Sequence, residues 1–380
     1  MGTPIAKPDD VPAELGGHLR SYANRTCPQH WLRDQTTEES TTRMSNLNQL
    51  LARAKSAPAY SPAPDTRYFN ADLAQLIRDA SSAMPFRDHI PAGMYEPTHR
   101  ISQPAATAMS ALLGSSFLPD LIDKDGRITR VPAGVSAGQS TRLDAAIIAN
   151  SRVAQAGAQL IVMPESTEAL PTGLTGDIVL VKKPGSFRTI EAAIFDTVSE
   201  GDGPETDAPI VAMPVSSAPI NFGDAISKGI SVTVKRSSWK ETPVDILAAD
   251  LALALTLGLA RAADEVLLRA IAAGNPSAFS LSEAAAQGLE FGELRALAGG
   301  DGAVVDQSGV LRVAGVPAEL TADNKGTFVG AFSRAAIVVH ERIDLIAHRL
   351  DTAGSVNVTC WASFVPCVPD VSKFWSAKAN

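Results

Sequence analysis

The sequence predicts an α+β protein, and three stretches of the chain carry that prediction. Residues 243–273 form a long, mostly apolar run, residues 229–237 alternate apolar and polar side chains, and residues 355–368 alternate again. An apolar run of this length indicates a helix, whereas strict alternation is typical of a half-buried strand. Helix and strands in separate segments of the chain fit the α+β class.

The ends of the long helix are predicted by Thr242, Pro243 and Asp245 on one side and by Gly274 on the other. A threonine hydroxyl can accept a hydrogen bond from an orphan amide, and proline suits the first helical position. An aspartate in the first turn faces the positive end of the helix dipole, and glycine is a common stop signal. A helix over 243–273 would be roughly 46 Å long.

The apolar centre of this helix, LALALTLGLA at 251–260, is too short for a membrane span. A spanning helix needs about 20 consecutive apolar residues, and charged residues close this run on both sides. On a helical wheel, one narrow stripe collects Asp250, Arg261, Asp264, Glu265 and Arg269. A long helix exposed along a single stripe is expected to lie across a domain and to contact several neighbouring elements.

Residues 176–240 predict a long β excursion that leaves the body of the protein and returns. Its strands are indicated at 176–183, 188–198 and 229–237. On the last strand, one face collects Ile230, Val232 and Val234. Between the strands, SEGDGPETDAP at 199–209 combines acids, glycines and prolines, which is typical of a solvated tip.

The C-terminal part predicts a strand–turn element at 309–320 and two further β runs at 335–350 and 355–368. In the last run, one face collects Val356, Val358, Cys360, Ala362 and Phe364.

The first hundred residues contain too few periodic apolar positions for a core of their own, so we expect an arm that packs on other subunits. Helices are indicated at 41–55 and at 70–82, the second with Asn70 as its N-cap, and a helical patch follows at 141–157.

Composition excludes several classes of function. The net charge of −8 argues against a surface that grips a nucleic-acid backbone, although not against a protein that encloses nucleic acid. The three cysteines, Cys27, Cys360 and Cys367, imply no disulfide framework, which favours a reduced, cytosolic environment. The N-terminus has no apolar stretch of the signal-peptide kind.

Candidate chemistry is sparse. Gly134 to Gly138 match the G-x-S-x-G pattern around Ser136, but the preceding segment carries Arg127, Arg130 and Pro132, which suit a buried strand poorly. Cys27 and His30 form one weak metal-type pair where a structural zinc site needs four ligands. Residues 123–126 lack the closing glutamate of a calcium loop and suit a hairpin turn. We therefore expect no catalytic residue, no metal and no cofactor, with a Ser136 hydrolase as a remote alternative.

The order of these segments resembles the major capsid proteins of tailed bacteriophages, which have the Hong Kong 97 fold. The residues that carry the resemblance are 199–210, 226–276 and 313–374. They include an acidic Gly/Pro tip, a basic strand leading into a capped long helix, a Gly-x-Pro strand, and Gly330-Ala331-Phe332-Ser333 in place of a Gly-Asp-Phe-Ser-like turn. The resemblance covers about 176–380.

The resemblance implies a domain plan. Residues 1–110 would be an N-terminal arm, 111–187 an arm-to-core segment, 188–240 the E-loop hairpin, 241–274 the spine helix of a peripheral domain, 275–335 an axial domain, and 336–380 strands returning to the peripheral domain. The implied assembly residues at the E-loop tip are Glu200, Gly201, Asp202, Gly203, Pro204 and Glu205. Those of the spine helix are Thr242, Pro243, Asp245, Asp250, Arg261, Glu265, Arg269 and Gly274.

By the same resemblance, the chain would assemble with itself into pentamers and hexamers of an icosahedral virion shell around double-stranded DNA. Assembly would take place in the host cytoplasm, with a separate scaffold protein, a portal and a decoration protein as partners and without a membrane. The E-loop tip has no lysine, and no glutamate follows Asn357 in its strand, so we expect no covalent cross-link of the kind found in some members. An encapsulin-like nanocompartment shell, with the same fold around protein cargo, is the nearest alternative.

Overall fold

The computed structural model describes residues 68–83, 86–89, 99–102, 106–118, 130, 132–136, 138–165, 167–172, 177–193, 195, 212–300, 302–324, 326–351 and 354–377. All of them belong to one folding unit, Thr66–Asn380. Four expectations therefore lie outside the described residues: the helix at 41–55, the Cys27–His30 pair, the turn at 123–126 and the E-loop tip, Glu200 to Glu205.

The described chain combines helices and strands, as the α+β prediction requires. The helices are α1 (Phe69–Ser82), α2 (Leu143–Asn150), α3 (Arg152–Gln155), α4 (Arg236–Glu241), α5 (Val244–Ala273) and α6 (Leu281–Ala286). The strands of the first half are β1 (Phe86–His89), β2 (His99–Ser102), β3 (Ala106–Leu112), β4 (Ser116–Phe117), β5 (Thr141–Arg142), β6 (Gln159–Met163), β7 (Thr167–Thr172), β8 (Asp177–Lys182), β9 (Gly185–Ile190), β10 (Val215–Ile220) and β11 (Ile226–Val234).

The strands of the second half follow the long helix. They are β12 (Arg295–Ala298), β13 (Ala303–Val305), β14 (Leu311–Val313), β15 (Val316–Leu320), β16 (Thr327–Gly330), β17 (Ala336–His340), β18 (Arg342–Arg349), β19 (Val356–Cys367) and β20 (Phe374–Ser376). Short 3₁₀ turns lie at Phe222–Asp224, Phe291–Glu293, Phe332–Arg334 and Val371–Lys373.

The main sheet is built around β19. On one side, β17 pairs with the C-terminal part of β19 and β18 with its N-terminal part, and β6 and β3 continue the sheet beyond them. Strand β11 is paired along its whole length, antiparallel to residues 356–364 of β19, from Ile226–Phe364 to Val234–Val356. Because β18 already occupies one side of residues 356–361, β11 must lie on the other side, as an edge strand.

The long helix α5 lies on one face of this sheet. Its buried leucines and alanines share a hydrophobic core with α1, α2 and the inward-facing residues of β17, β18 and β19. The alternation assigns five residues of β19 to one face, and all five are buried in this core. They are Val356, Val358, Cys360, Ala362 and Phe364. The expectation that the helix contacts more than one element is confirmed.

A second sheet has the strand order β13-β14-β15-β12-β16-β20, with the turn between β14 and β15 at Ala314 and Gly315. Ala314 has a φ of 48°, in the left-handed region that a tight turn requires. The hydrophobic core of the second sheet includes Leu294, Val316, Val329 and Trp375. The strand–turn expectation for 309–320 is confirmed.

Three sequence expectations differ from the structure. Helix α1 does not belong to an arm that packs only on other subunits, because Phe69, Leu73 and Ile77 are buried against α5 and the sheet of the same chain. The strand expected at 188–198 begins at Gly185 and ends at Ile190. Residues 226–234 belong to the main sheet and 236–241 form α4, so the protruding hairpin is shorter than the expected 188–240.

The expected N-caps are also wrong, whereas Gly274 is the C-cap of α5 as expected. The N-cap of α1 is Tyr68, and the Asn70 side chain bonds instead to both backbone groups of Leu118. The N-cap of α5 is Pro243 and no side chain caps it, because Thr242 ends α4 with its amide donating to the Ser238 carbonyl. Asp245 does lie in the first turn of α5, as expected.

Gly274 ends α5 for a reason other than backbone freedom. Its φ is −73°, which any residue adopts, and the left-handed position is Asn275 with a φ of 50°. A Cβ at position 274 would lie within 2.2 Å of the Val371 Cγ1 atom. Glycine is required there because the Val371 turn approaches the helix end closely.

We expect Gly274→Ala to lower the free energy of unfolding by about 1–3 kcal/mol, the usual cost of overpacking a core. The matched control is Gly258→Ala, also on α5, where an added Cβ meets nothing within 4 Å. There we expect no loss and a gain of up to about 1 kcal/mol from helix propensity. Urea unfolding of both variants is the measurement, and equal stabilities would contradict the close-approach argument.

Candidate assembly surfaces

Strands β9 and β10 form a hairpin that is anchored on the main sheet. Phe187, Ala218 and Ile220 are buried at its root against Ala336, Val338, Val365 and Cys367 of the sheet. The ladder between the strands runs from Gly185–Ile220 to Ile190–Val215. Because neighbouring residues of a strand point to opposite faces, the root lies on the face opposite α5, whose core contains Ile337, Val339 and Phe364.

The far end of this hairpin exposes three large apolar side chains. Ile190 is 70% exposed, Met213 is 72% exposed and Phe195 is 94% exposed. We call Ile190, Phe195 and Met213 the hairpin end. A fully buried side chain of this size contributes about 1.5–3 kcal/mol relative to an exposed one, so the group is costly to leave in water. Exposed apolar side chains that share one surface are typical of interaction sites.

A charged junction holds the hairpin where its paired part ends. Arg334 donates to the Glu191 carboxylate at 2.5 Å and lies 3.3 Å from that of Glu293. The buried Lys373 ammonium lies 3.7 Å from Glu191 and donates to the Gln287 carbonyl at 2.8 Å. The junction of Glu191, Glu293, Arg334 and Lys373 thus joins the hairpin to three segments of the second half of the chain.

Sequence reasoning missed this junction. Its four members are separated by up to 182 positions, and each is an ordinary charged residue in its own segment. The one local signal is Glu290 and Glu293, whose side chains form a reciprocal capping box at a 3₁₀ turn. That pattern predicts a turn and no long-range partner.

The expected exposed stripe of α5 is largely present. Asp250, Arg261 and Arg269 are exposed, and Glu265 is half-buried. Glu265 pairs with Arg269 at 2.6 Å and with Lys228 of β11 at 2.9 Å, and the Lys228 hydrogen bond lowers the pKa of its carboxyl. Arg261 pairs with Asp323 at 2.8 Å, and Asp245 pairs with Arg78 of α1 at 2.6 Å.

Asp264 is the exception, because it is 1% exposed. One carboxylate oxygen accepts from the Ser151 hydroxyl at 2.6 Å and the Val153 amide at 3.1 Å, and the other accepts from the Arg152 amide at 2.8 Å. Burial raises the pKa of this carboxyl, and the three hydrogen bonds offset the shift only in part. Asp264 therefore fixes the α2–α3 corner to the long helix.

Among the described residues, α5 is the one helix long and apolar enough to cross a membrane. Slightly more than half of its most apolar window, 56%, is buried inside the fold. Its apolar faces are covered by α1, α2 and the sheet. These contacts are those of a core helix, in agreement with the expectation from its sequence.

The structure does not support the nucleophile-elbow geometry at Ser136. Residues 132–136 are turn and coil, and the next helix begins at Leu143. An elbow needs a strand directly before the serine and a helix directly after it.

The thiols of Cys360 and Cys367 are buried, which raises their pKa to about 12 and about 11. Within the described ranges, no three His, Cys, Asp or Glu side chains are placed to hold a metal ion.

No protein-family model matches this chain, and no curated protein matches it. Solved structures similar to it include a chain of Mycobacterium phage Cain, at 13% identity, with 60% of this chain and 90% of that chain covered and a TM-score of 0.35. A chain from the capsid of the native GTA particle is 10% identical, with 61% and 90% covered and a TM-score of 0.38.

A chain from the satellite phage P4 procapsid, which includes the size determination protein, is 10% identical, with 61% and 96% covered and a TM-score of 0.36. These structures come from a phage, the capsid of a GTA particle and a phage procapsid.

We expect Arg334→Met to lower the free energy of unfolding by about 1–3 kcal/mol, because it leaves Glu191 and Glu293 without their shared cation. The matched control is Arg342→Met in β18, whose ion pair with Asp344 is exposed. There the expected loss is below about 1 kcal/mol. Denaturant unfolding of both variants is the measurement, and similar losses would show that the junction is an ordinary surface pair.

The raised pKa of Asp264 gives a pH dependence of known sign. A carboxyl that binds its proton more tightly in the folded state stabilises the fold most at low pH. That contribution is lost as the pH rises from the ordinary value of 3.8 through the raised pKa. The free energy of unfolding is therefore compared between wild type and Asp264→Asn. The difference, wild type minus variant, should fall over this pH range and then stay constant.

Urea unfolding of both proteins at pH values from about 4 to about 7 measures this difference. The control is Ser151→Ala, which removes a hydrogen bond that lowers the pKa of Asp264 but keeps the carboxyl, so its stability should still fall as the pH rises, over at least as wide a range. A difference that rises with pH would contradict the assigned direction of the shift.

Proposed function

We propose that this chain is a structural major capsid protein of a tailed phage, which assembles into the pentamers and hexamers of an icosahedral shell enclosing double-stranded DNA. The observation that carries the proposal is the exposure of three large apolar side chains at the hairpin end. They belong to a hairpin whose root is buried and whose paired strands are fixed by a charged junction. A chain that works alone gains nothing from this arrangement. A chain surrounded by copies of itself buries the hairpin end in an interface.

The segments take roles that fit the Hong Kong 97 plan. We assign the β9–β10 hairpin and the residues between its strands to the E-loop, with Glu200 to Glu205 at the tip. Helix α5 is the spine helix, with the main sheet as the peripheral domain, and the second sheet is the axial domain at the capsomer centre. Exposed Val304, Val305 and Leu320 on that second sheet are a further apolar surface that neighbouring copies would cover.

The mechanism is assembly rather than catalysis. In this mechanism, the junction at Arg334 fixes the direction in which the hairpin leaves the body. The packing of α5 on the main sheet keeps the sheet from deforming when a neighbouring copy binds the hairpin. Partners would be further copies, a separate scaffold protein, a portal and a decoration protein, with packaged DNA held without sequence-specific contacts. The location would be the virion, after assembly in the host cytoplasm.

Sizing chromatography and negative-stain electron microscopy of the whole chain, with and without a co-expressed scaffold protein, test the proposal. We expect closed shells or rings of five and six subunits. The variant Ile190→Asp/Met213→Asp should fold normally but give far fewer particles, because charge is unfavourable in a buried interface. The matched control, Ile190→Val/Met213→Leu, keeps both positions apolar and should assemble.

A stable monomer of 39.7 kDa under every condition would contradict the assembly proposal. The ratio of nucleic-acid absorbance to protein absorbance in purified particles distinguishes a shell that packages nucleic acid from an encapsulin-like shell that holds protein cargo. Labelling by a fluorophosphonate probe that disappears in Ser136→Ala would contradict a purely structural role.

A further inference from the structure

Strand β11 is an edge of the main sheet that the described residues leave open. Over nine residues it pairs with β19 in one uninterrupted register, and no described strand pairs with its other side. An open edge presents a row of backbone amides and carbonyls that pair readily with another strand. Natural edge strands are therefore usually short, or interrupted by a bulge, a proline or a charge.

Strand β11 has none of these protections. It contains no proline and no bulge, and its one charged residue, Lys228, donates to Glu265 of α5 at 2.9 Å. By contrast, β13 at the edge of the second sheet has only three residues. The open edge of β11 is thus long and regular enough to receive a partner strand.

The side of β11 that faces α5 is incompletely covered. Ile230 pairs with Cys360, which is buried in the core shared with α5, yet Ile230 itself is 51% exposed. Beside it, an open recess of about 390 Å³ lies between the helix and the strand. The helix residues that line this recess include the small residues Ala254, Gly258 and Ala262. An apolar side chain that arrives alongside Ile230 would therefore find room and would cover it.

The sequence of β11 is complementary to itself when a second copy runs antiparallel to it. A register centred on Ile230 pairs all nine residues, and paired positions are an even number of residues apart, so each side chain keeps its face. On the α5 face, this register leaves no two charges opposite each other, and the pairs are Ile230–Ile230, Ile226–Val234 and Lys228–Val232. On the other face it aligns small and hydroxyl residues, in the pairs Ser227–Thr233 and Gly229–Ser231.

The residues that flank the strand carry complementary charges in the same register. Asp224 lies in the turn before β11, and Arg236 begins α4 after it, and both are exposed. Antiparallel alignment on Ile230 brings Arg236 of one copy toward Asp224 of the other. Two-fold symmetry repeats this contact at the opposite end of the strand. Charges that are complementary across an interface fix its register.

We propose that the open edge of β11 pairs with β11 of a second copy around a two-fold axis at Ile230, which joins the two main sheets into one. The contact is isologous, because the same residues serve both copies. It adds about eight to ten backbone hydrogen bonds and covers the exposed Ile230 of each copy with that of the other. The inference rests on the assembly function proposed above, since an icosahedral shell contains two-fold contacts between its subunits.

A pair of engineered cysteines tests the register and the symmetry of this contact together. Ser227 of one copy lies opposite Thr233 of the other, whereas within one chain these positions are about 20 Å apart. The whole chain with Ser227→Cys/Thr233→Cys, prepared as in the assembly experiment and mildly oxidised, should form a disulfide-linked dimer. Both disulfides join the same two chains, so the product on a non-reducing gel should stop at twice the chain mass of 39.7 kDa.

The single variants Ser227→Cys and Thr233→Cys are the controls for the disulfide. Each should give little linked dimer, because neither position lies opposite itself in this register. A ladder of products larger than the dimer would show a heterologous contact and would overturn the two-fold pairing.

A charge at the axis tests the pairing itself. Adding Ile230→Lys to the double-cysteine chain places two ammonium groups opposite each other and should lower the amount of linked dimer by about tenfold or more. The matched control, Ile230→Val, keeps an apolar β-branched side chain and should leave the amount unchanged. Urea unfolding checks that both variants fold, as expected at a half-exposed position. An equal amount of dimer with Ile230→Lys would contradict the inference.

The two proposals fail in distinguishable ways. Assembled particles that form no disulfide would show that another segment covers the β11 edge, and would leave the assembly function intact. A linked dimer from a chain that never forms particles would support the β11 contact and contradict the assembly function instead. A chain that gives neither particles nor linked dimer would contradict both.

Discussion

The burial of α5 against β19 is the interaction on which the other parts of this structure depend. Five alternate residues of β19 face the helix, and leucines and alanines of the helix fill the space between α1, α2 and the sheet. Each fully buried leucine or valine contributes about 1.5–3 kcal/mol, so this single layer outweighs any of the charged pairs at the surface. It fixes one face of the sheet as core and leaves the other face for the hairpin.

That division explains the placement of the charged groups. Asp264, on the core side, ties the α2–α3 corner to the helix with three hydrogen bonds and no cation among their donors. Arg334 and Lys373 hold the hairpin through Glu191, beyond the root that rests on the opposite face. The first group ties the α2–α3 corner to the long helix, and the second ties the end of the paired hairpin strands to the second half of the chain.

The sequence predicts the elements with a strong period and misses what depends on distant partners. The bounds of α5 and the buried face of β19 follow from apolar spacing, because each is a local pattern long enough to be unambiguous. The cap at Thr242 was expected from residue type, but α4 uses Thr242 first, and only the three-dimensional turn reveals this. Gly274 was expected as a stop from residue type and is the C-cap, but the close approach that requires glycine comes from Val371, nearly a hundred residues later.

The candidate surfaces divide in the same way. The stripe on α5 follows from a helical wheel, yet the wheel cannot show that Asp264 on that stripe is covered by the α2–α3 corner. The hairpin end has no sequence signature, because Phe195 looks in the sequence like an ordinary strand residue. Its exposure among the described residues follows only from the three-dimensional structure.

The position of β19 in the chain has a consequence for synthesis. The strand at the centre of the main sheet lies near the C-terminal end of the sequence, and its partner β11 lies about 130 residues earlier. Until β19 leaves the ribosome, β11 has no ladder to join and the leucines of α5 have no sheet to cover. Pairings of this separation form slowly and expose apolar surface while they wait. Until β19 has been made, the nascent chain exposes the apolar faces of α5 and β11, the kind of surface that chaperones bind.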